Sequence, residues 1–242
     1  DLQILLGNTH YSATDEEKLV SVYLSWSPDA FILTGVEHTE KTRRMLKAAN
    51  IPIVEIVDLA DNPVDMSVGL SHFGAGHEMG QYLLDQGYRR IAFVGSQMEF
   101  DRRSTKRADG LGAALKEAGV EPGPVVSLSR PSTVRAGGES VSALLAETPD
   151  VDAVFFANDD LAVGALLACQ RRGIDVPGTL GIAGFNGLEF GGEVLPRLTT
   201  IHTPRLDIGR RAAEMIVACL DGEEPPDRRV DLSFTLLKRE SA

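Results

Sequence analysis

The stretch AVFFANDDLAVGALLACQRRGIDVPGTLGIAGFN, residues 153–186, admits few folds. An apolar run of strand length meets Asn-Asp, a helical apolar pattern follows, Gly173 stops it, and a second apolar run closes on Gly184-Phe185-Asn186. Two short buried strands joined by one helix are the repeating unit of a parallel sheet, because parallel neighbours need a crossover connection. Asn158 and Asn186 then stand at the same carboxyl rim of that sheet. Open α/β sheets hold their ligands at this rim, so the spacing alone implies a site.

The same alternation runs through the chain. Strands are expected at residues 2–6, 30–33, 52–57, 64–70, 90–94, 125–128, 198–201 and 230–237, with 64–70 near an edge. Helices are expected from a capping box at Thr14-Asp15-Glu16-Glu17 through about Ser25, and at 39–49, 74–85, 104–118, 136–146 and 206–220. About ten strands in one open sheet would be unusually wide. Two smaller parallel sheets are the better expectation, with the joint near residues 71–73.

Composition narrows the function. With 24 basic and 35 acidic residues among 242, the net charge is −11. A surface built to grip phosphates or an anionic membrane needs clustered Lys and Arg instead. The two cysteines, Cys169 and Cys219, fall on apolar helix faces and read as buried free thiols, which suits a reducing cytoplasm. No apolar run reaches membrane length, and no signal-peptide pattern opens the chain. The chain begins at Asp1 and enters an apolar run at once, which suggests that something preceded it.

Arg107 is the oddest charged residue. The helix expected at 104–118 turns Leu111, Ala114, Leu115 and Ala118 inward, and Arg107 extends that stripe at its N-terminal end. Arg103 lies four residues earlier on the same side. An inward guanidinium at a strand–helix rim suits bidentate capture of a carboxylate or paired hydroxyls. An internal salt bridge to Asp101 or Asp109 is the competing reading. Asn158 and Asp159 are both good N-caps; Asp159 is assigned to capping here, leaving Asn158 for a ligand. Asn186 also fits a positive-φ turn ahead of Gly187, and such a turn can aim its side chain.

His10 and Tyr11 follow the first expected strand. Phe73 and Tyr82 bracket the glycine-rich segment 74–80, whose spacing is wrong for a dinucleotide fingerprint and suits close helix packing instead. The five histidines and two cysteines show no metal-ligand spacing, and no nucleophile elbow or phosphate loop occurs. No metal, cofactor or catalytic residue is therefore expected.

GHEMGQYLLDQGYRRIAFVGS at 76–96, the R-x-x-G of Arg107–Gly110, FAND followed by LAVGAL at 156–166, RRGIDVPGTLGIAGFN at 171–186 and PRLTTIHTP at 196–204 stand in order along the chain. Together they closely resemble the effector-binding core of lactose-repressor/galactose-repressor family transcription regulators, across essentially all 242 residues. The resemblance implies an α/β fold of periplasmic-binding-protein type: two Rossmann-like subdomains joined by three crossovers, with a small-molecule effector in the cleft. It implies an N-terminal subdomain of residues 1–72 plus 204–229 and a C-terminal one of 73–203 plus 230–242. A helix-turn-helix that contacts operator DNA would precede Asp1, and a cytoplasmic homodimer is expected.

Matched by position, Arg107 corresponds to the family's cleft arginine, Asn158 to its ligand-contacting asparagine, and Asn186 to a position that is usually aspartate. His10, Tyr11, Asp58, Phe73, Ser132-Thr133 and Thr203 fall on pocket-lining segments. A neutral amide at 186 tolerates an anion that aspartate would repel, which favours a sugar acid over a neutral sugar. NTHYS…DEEKL and IHTPRLDIG also resemble the gluconate-repressor branch. The rival readings are a periplasmic sugar-binding protein of a transporter and a carbohydrate-active α/β enzyme, the latter lacking an evident nucleophile–base pair.

Overall fold

The computed structural model describes residues 3–242. In chain order the elements begin α1 (Ala13–Leu24), β1 (Phe31–Thr34), α2 (Glu40–Ala49), β2 (Ile53–Asp58), β3 (Met66–Leu70), α3 (His72–Asp85), β4 (Ile91–Ser96), α4 (Arg102–Glu117) and β5 (Val125–Leu128). They continue with α5 (Val134–Glu147), β6 (Ala153–Phe156), α6 (Asp159–Arg172), β7 (Gly181–Asn186), β8 (Thr199–His202), α7 (Arg205–Leu220), β9 (Arg229–Asp231) and β10 (Thr235–Leu237).

The chain forms two compact units. The N-terminal unit comprises the chain through Ser71 together with Pro204–Ser233; the C-terminal unit comprises His72–Thr203 with Phe234–Ala242. The chain thus passes between units three times.

The N-terminal unit carries a parallel four-stranded sheet in the order β1-β2-β3-β9. Its core gathers Val20, Phe31, Leu33, Leu46 and Ile53. The C-terminal unit carries six strands in the order β10-β8-β7-β6-β4-β5, parallel except for β10. β4 and β6 are buried on both faces, as expected for central strands covered by helices. Val94 and Phe156 join Leu161, Leu166 and Ile182 in the core. Their sequence neighbours Phe93 and Phe155 point the other way and meet edge to face at 5.3 Å.

Glycines set the closeness of two helix pairs. A Cβ at Gly76 would lie 2.0 Å from Arg107 O, and one at Gly110 would lie 2.1 Å from Phe73 O, so α3 and α4 touch backbone to backbone. Gly137 and Gly164 do the same for α5 and α6, against Leu161 O at 2.0 Å and Val134 O at 1.9 Å. The glycine-rich segment 74–80 is a packing device.

Four sequence expectations change. Of the strand expected at 2–6, Leu2 lies outside the described residues, and residues 3–6 form no strand. Ile4 and Leu6 are 88% and 92% exposed; no neighbouring edge pairs with this run, and an unpaired strand is not stable by itself. The cap of α1 is Ser12 rather than Thr14, its hydroxyl accepting from Asp15 N at 3.2 Å. β3 lies between β2 and β9 and is buried throughout, not at an edge. The strand expected at 230–237 is two strands, β9 and β10, in different sheets.

Candidate functional site

The order of the six-stranded sheet turns at β4. The chain goes from β4 to β5 on one side, then returns to place β6 on the other. Ligands of open α/β sheets sit outside the carboxyl ends of strands at such a switch point, and Arg107 lies there. From α4 its Nη2 donates to the carbonyl of Ala157, the residue just past β6, at 3.1 Å and to Ser104 Oγ at 2.8 Å. Nη1 meets His72 Nδ1 at 2.8 Å. The guanidinium carbon sits 4.1 Å from the centroid of the Phe185 ring, a cation–π contact.

Arg107 is only 5% exposed. Of the two sequence readings, the internal ion pair is present in weak form: Asp101 Oδ2 lies 4.0 Å from Nη2, while Asp109 is exposed. Asp101 occupies the N-cap position of α4 yet makes no side-chain cap bond; its carboxylate accepts from Ser104 Oγ instead. Asp101, Ser104 and Arg107 thus form a relay that holds Nη2 of the guanidinium.

The assignment at 158–159 is reversed. Asn158 is the N-cap of α6, its Oδ1 accepting from Leu161 N at 3.0 Å while Nδ2 donates to Ser132 Oγ at 2.7 Å. Asp159 does not cap. It is fully buried, accepting from Thr200 Oγ1 and from Leu188 N, both at 2.6 Å. Burial pushes its carboxyl up to about 6, against the opposing pull of those two hydrogen bonds. The N-cap must present an oxygen to the turn that follows; both residue types can do so, and only tertiary packing decides which one turns inward.

Asn186 ends β7 with φ +113°, followed by Gly187 at φ +66°. The turn reading is therefore realised. Thr203 is buried, and its backbone N and Oγ1 both lie 3.4 Å from Asn186 O, bracing the turn. Thr133 serves as the N-cap of α5, accepting from Ala136 N at 3.0 Å. Phe73, second residue of α3, is 47% exposed and stacks on His77.

Three sequence candidates belong to the N-terminal unit. His10 and Tyr11 both have positive φ, ahead of Ser12, and both are exposed; His10 N donates to Asn8 Oδ1 at 3.0 Å. Asp58 ends β2 and is buried, with Oδ1 accepting from Leu59 N at 2.8 Å. Val57 before it has φ +78°. A β-branched residue in the left-handed region is strained by about 1–3 kcal/mol, and such strain gathers at functional sites. Its register partner Gly69 has no room for a side chain, since a Cβ there would meet Asp58 O at 2.3 Å.

Sequence reasoning overlooked His72, Ser104 and Val57, and gave Asp159 the cap that Asn158 makes. A histidine at a helix start carries no periodic signal, and the φ of Val57 leaves none. Among the described residues no three His, Cys, Asp or Glu side chains gather as a metal would require, and no helix is long and apolar enough to cross a membrane.

Two α/β units with parallel sheets, linked by three passages of the chain, define the periplasmic-binding-protein class. Residues 81–242 match the family described as periplasmic binding protein-like domain. The HTH-type transcriptional regulator GntR of Pseudomonas aeruginosa is 45% identical over 99% of this chain and 70% of its own length. The HTH-type transcriptional regulator IdnR of Escherichia coli is 35% identical over 97% of this chain and 70% of that protein. The crystal structure of transcription regulator GntR from Chromobacterium violaceum superposes with a TM-score of 0.93 at 44% identity, covering 99% of this chain and 88% of that one. A LacI-family regulator from Silicibacter pomeroyi gives 0.95 at 41%, covering 100% and 73%. This chain belongs to the LacI (lactose-repressor/galactose-repressor) family, as the effector-binding core of a transcription regulator rather than a transporter component.

Proposed function

We propose that the effector is a sugar acid of the gluconate type. The observation that carries this reading is the pairing, at one strand rim, of a buried cation with a neutral amide. Arg107 lies over Phe185, and Asn186 is the next residue. A guanidinium held in a fixed plane suits a carboxylate, and Asn186 offers donor and acceptor to hydroxyls without repelling the acid. Asn158, Thr133, Phe73 and Thr203 complete the C-terminal unit's share of this proposal; His10, Tyr11 and Asp58 are the N-terminal unit's share.

The whole regulator acts on operator DNA as a cytoplasmic homodimer, without enzymatic turnover of the effector. The effector shifts DNA affinity only as far as it binds one conformation better than another.

A thermal-shift series with gluconate, other sugar acids and neutral hexoses tests the reading. At about 100 times the dissociation constant a ligand adds roughly 2.7 kcal/mol, roughly 5–10 °C for a chain of this size. Asn186→Asp should weaken the acid about tenfold or more through like-charge repulsion. Shifts with neutral hexoses alone would refute the sugar-acid assignment.

A further inference from the structure

We infer that His72 is the residue that positions the Arg107 guanidinium for effector capture; the effector arm of this inference rests on the sugar-acid reading above. His72 is 2% exposed, opens α3, and places Nδ1 2.8 Å from Arg107 Nη1. A guanidinium only donates, so Nδ1 is the acceptor. The imidazole is therefore neutral in this contact, with its proton on Nε2. This matters for the cation: a carboxylate in the place of His72 would orient Arg107 and offset its charge at once, whereas a neutral ring orients it and leaves the charge in place.

The ring is held by its own packing. Its centroid lies 5.5 Å from that of Phe185, the same ring that carries the guanidinium. α3, α4 and β7 thus meet at one aromatic platform, with His72 and Arg107 both seated on it. Ser104 and Ala157 O fix Nη2, and His72 fixes Nη1. Two anchors on different nitrogens fix the orientation of the planar guanidinium; with one nitrogen anchored, the group can still pivot through the Cδ–Nε torsion. Sequence position explains why His72 escapes pattern reading: it acts through Arg107, thirty-five residues away, and lies on no periodic stripe.

The test uses the full 242-residue chain and has two arms. Without ligand, long-range 1H–15N spectra of the imidazoles should show His72 at pH 7 as the Nε2–H tautomer. The Arg107 side-chain signals should change in His72→Leu and return toward wild type in His72→Asn, whose Oδ1 can take the place of Nδ1. An Nδ1–H tautomer or an imidazolium at pH 7 overturns the inference.

With ligand, calorimetric titration of D-gluconate and of glucose should show binding about tenfold weaker in His72→Leu at a melting temperature close to wild type, with most of the affinity recovered in His72→Asn. Arg107→Lys, which cannot present two nitrogens to these anchors, should make the identity of residue 72 indifferent. Equal affinity in wild type and His72→Leu, or loss in His72→Asn as deep as in His72→Leu, overturns the positioning role. If glucose binds and gluconate does not, the sugar-acid reading falls, and the same comparison made with glucose still decides for His72. If neither binds, the ligand-free arm decides.

Discussion

His38→Gln isolates one buried ion cluster of the N-terminal unit and the pH range over which it acts. The His38 side chain, 1% exposed, lies between two acids: Nδ1 is 2.7 Å from Glu16 Oε1 on α1, and Nε2 is 3.1 Å from the fully buried Glu55 Oε1 on β2. The second contact is an ion pair rather than a well-aligned hydrogen bond. Burial by itself would lower the histidine's affinity for its proton, but the two carboxylates outweigh it and raise the value from 6.5 to about 9. Because the folded form holds the proton more tightly, the stabilisation is complete below the unfolded value and disappears as pH rises through about 9. Linkage over that interval puts on the order of 2–3 kcal/mol between pH 7 and pH 10.

Trp26, the chain's single tryptophan, stands just beyond α1 against Tyr23 and reports on this unit. Urea unfolding followed by its fluorescence should show the gap between wild type and His38→Gln shrinking by about that amount from pH 7 to pH 10. Taking the difference between the two proteins cancels the tyrosines and lysines that also titrate there. A gap that stays constant across the range would show that His38 is not a buried cation.

Other expectations concern the C-terminal unit. Gly164→Ala forces a methyl against Val134 O and should cost about 1–3 kcal/mol, whereas Gly112→Ala, where nothing lies within 4 Å, should be neutral or slightly stabilising in the same thermal melt. Asn158→Ala should lose about 1 kcal/mol of helix capping, and Asn158→Asp should recover the cap but not the donor to Ser132, which separates stability from ligand response. Asp159, with its carboxyl raised to about 6, binds a proton more tightly folded than unfolded. Its own contribution to stability should therefore grow as pH falls through about 6 toward 4, and the stability difference between wild type and Asp159→Asn, read in calorimetric scans, should change in wild type's favour over that range.

The strand–helix alternation was legible because it is local: apolar runs of strand length, helix stripes at 3.6-residue spacing and Gly173 as a stop each act within a few residues. The same local signals placed Asn158 and Asn186 at strand ends and turned Arg107 inward. Three kinds of fact were not legible. The run at 3–6 looks like a strand yet needs a neighbouring edge to become one. The choice between Asn158 and Asp159 as cap depends on Thr200 and Leu188, which approach from β8 and from the loop after β7. The hold on Arg107 depends on His72, Phe185 and Ala157 O, contributed by three other parts of the chain. Sequence by itself determined which residues are apolar, where backbone regularity starts and stops, and hence the class of fold. Tertiary structure alone decided which polar groups meet, because a hydrogen bond is set by distances of a few ångströms between residues that have no local reason to know of one another.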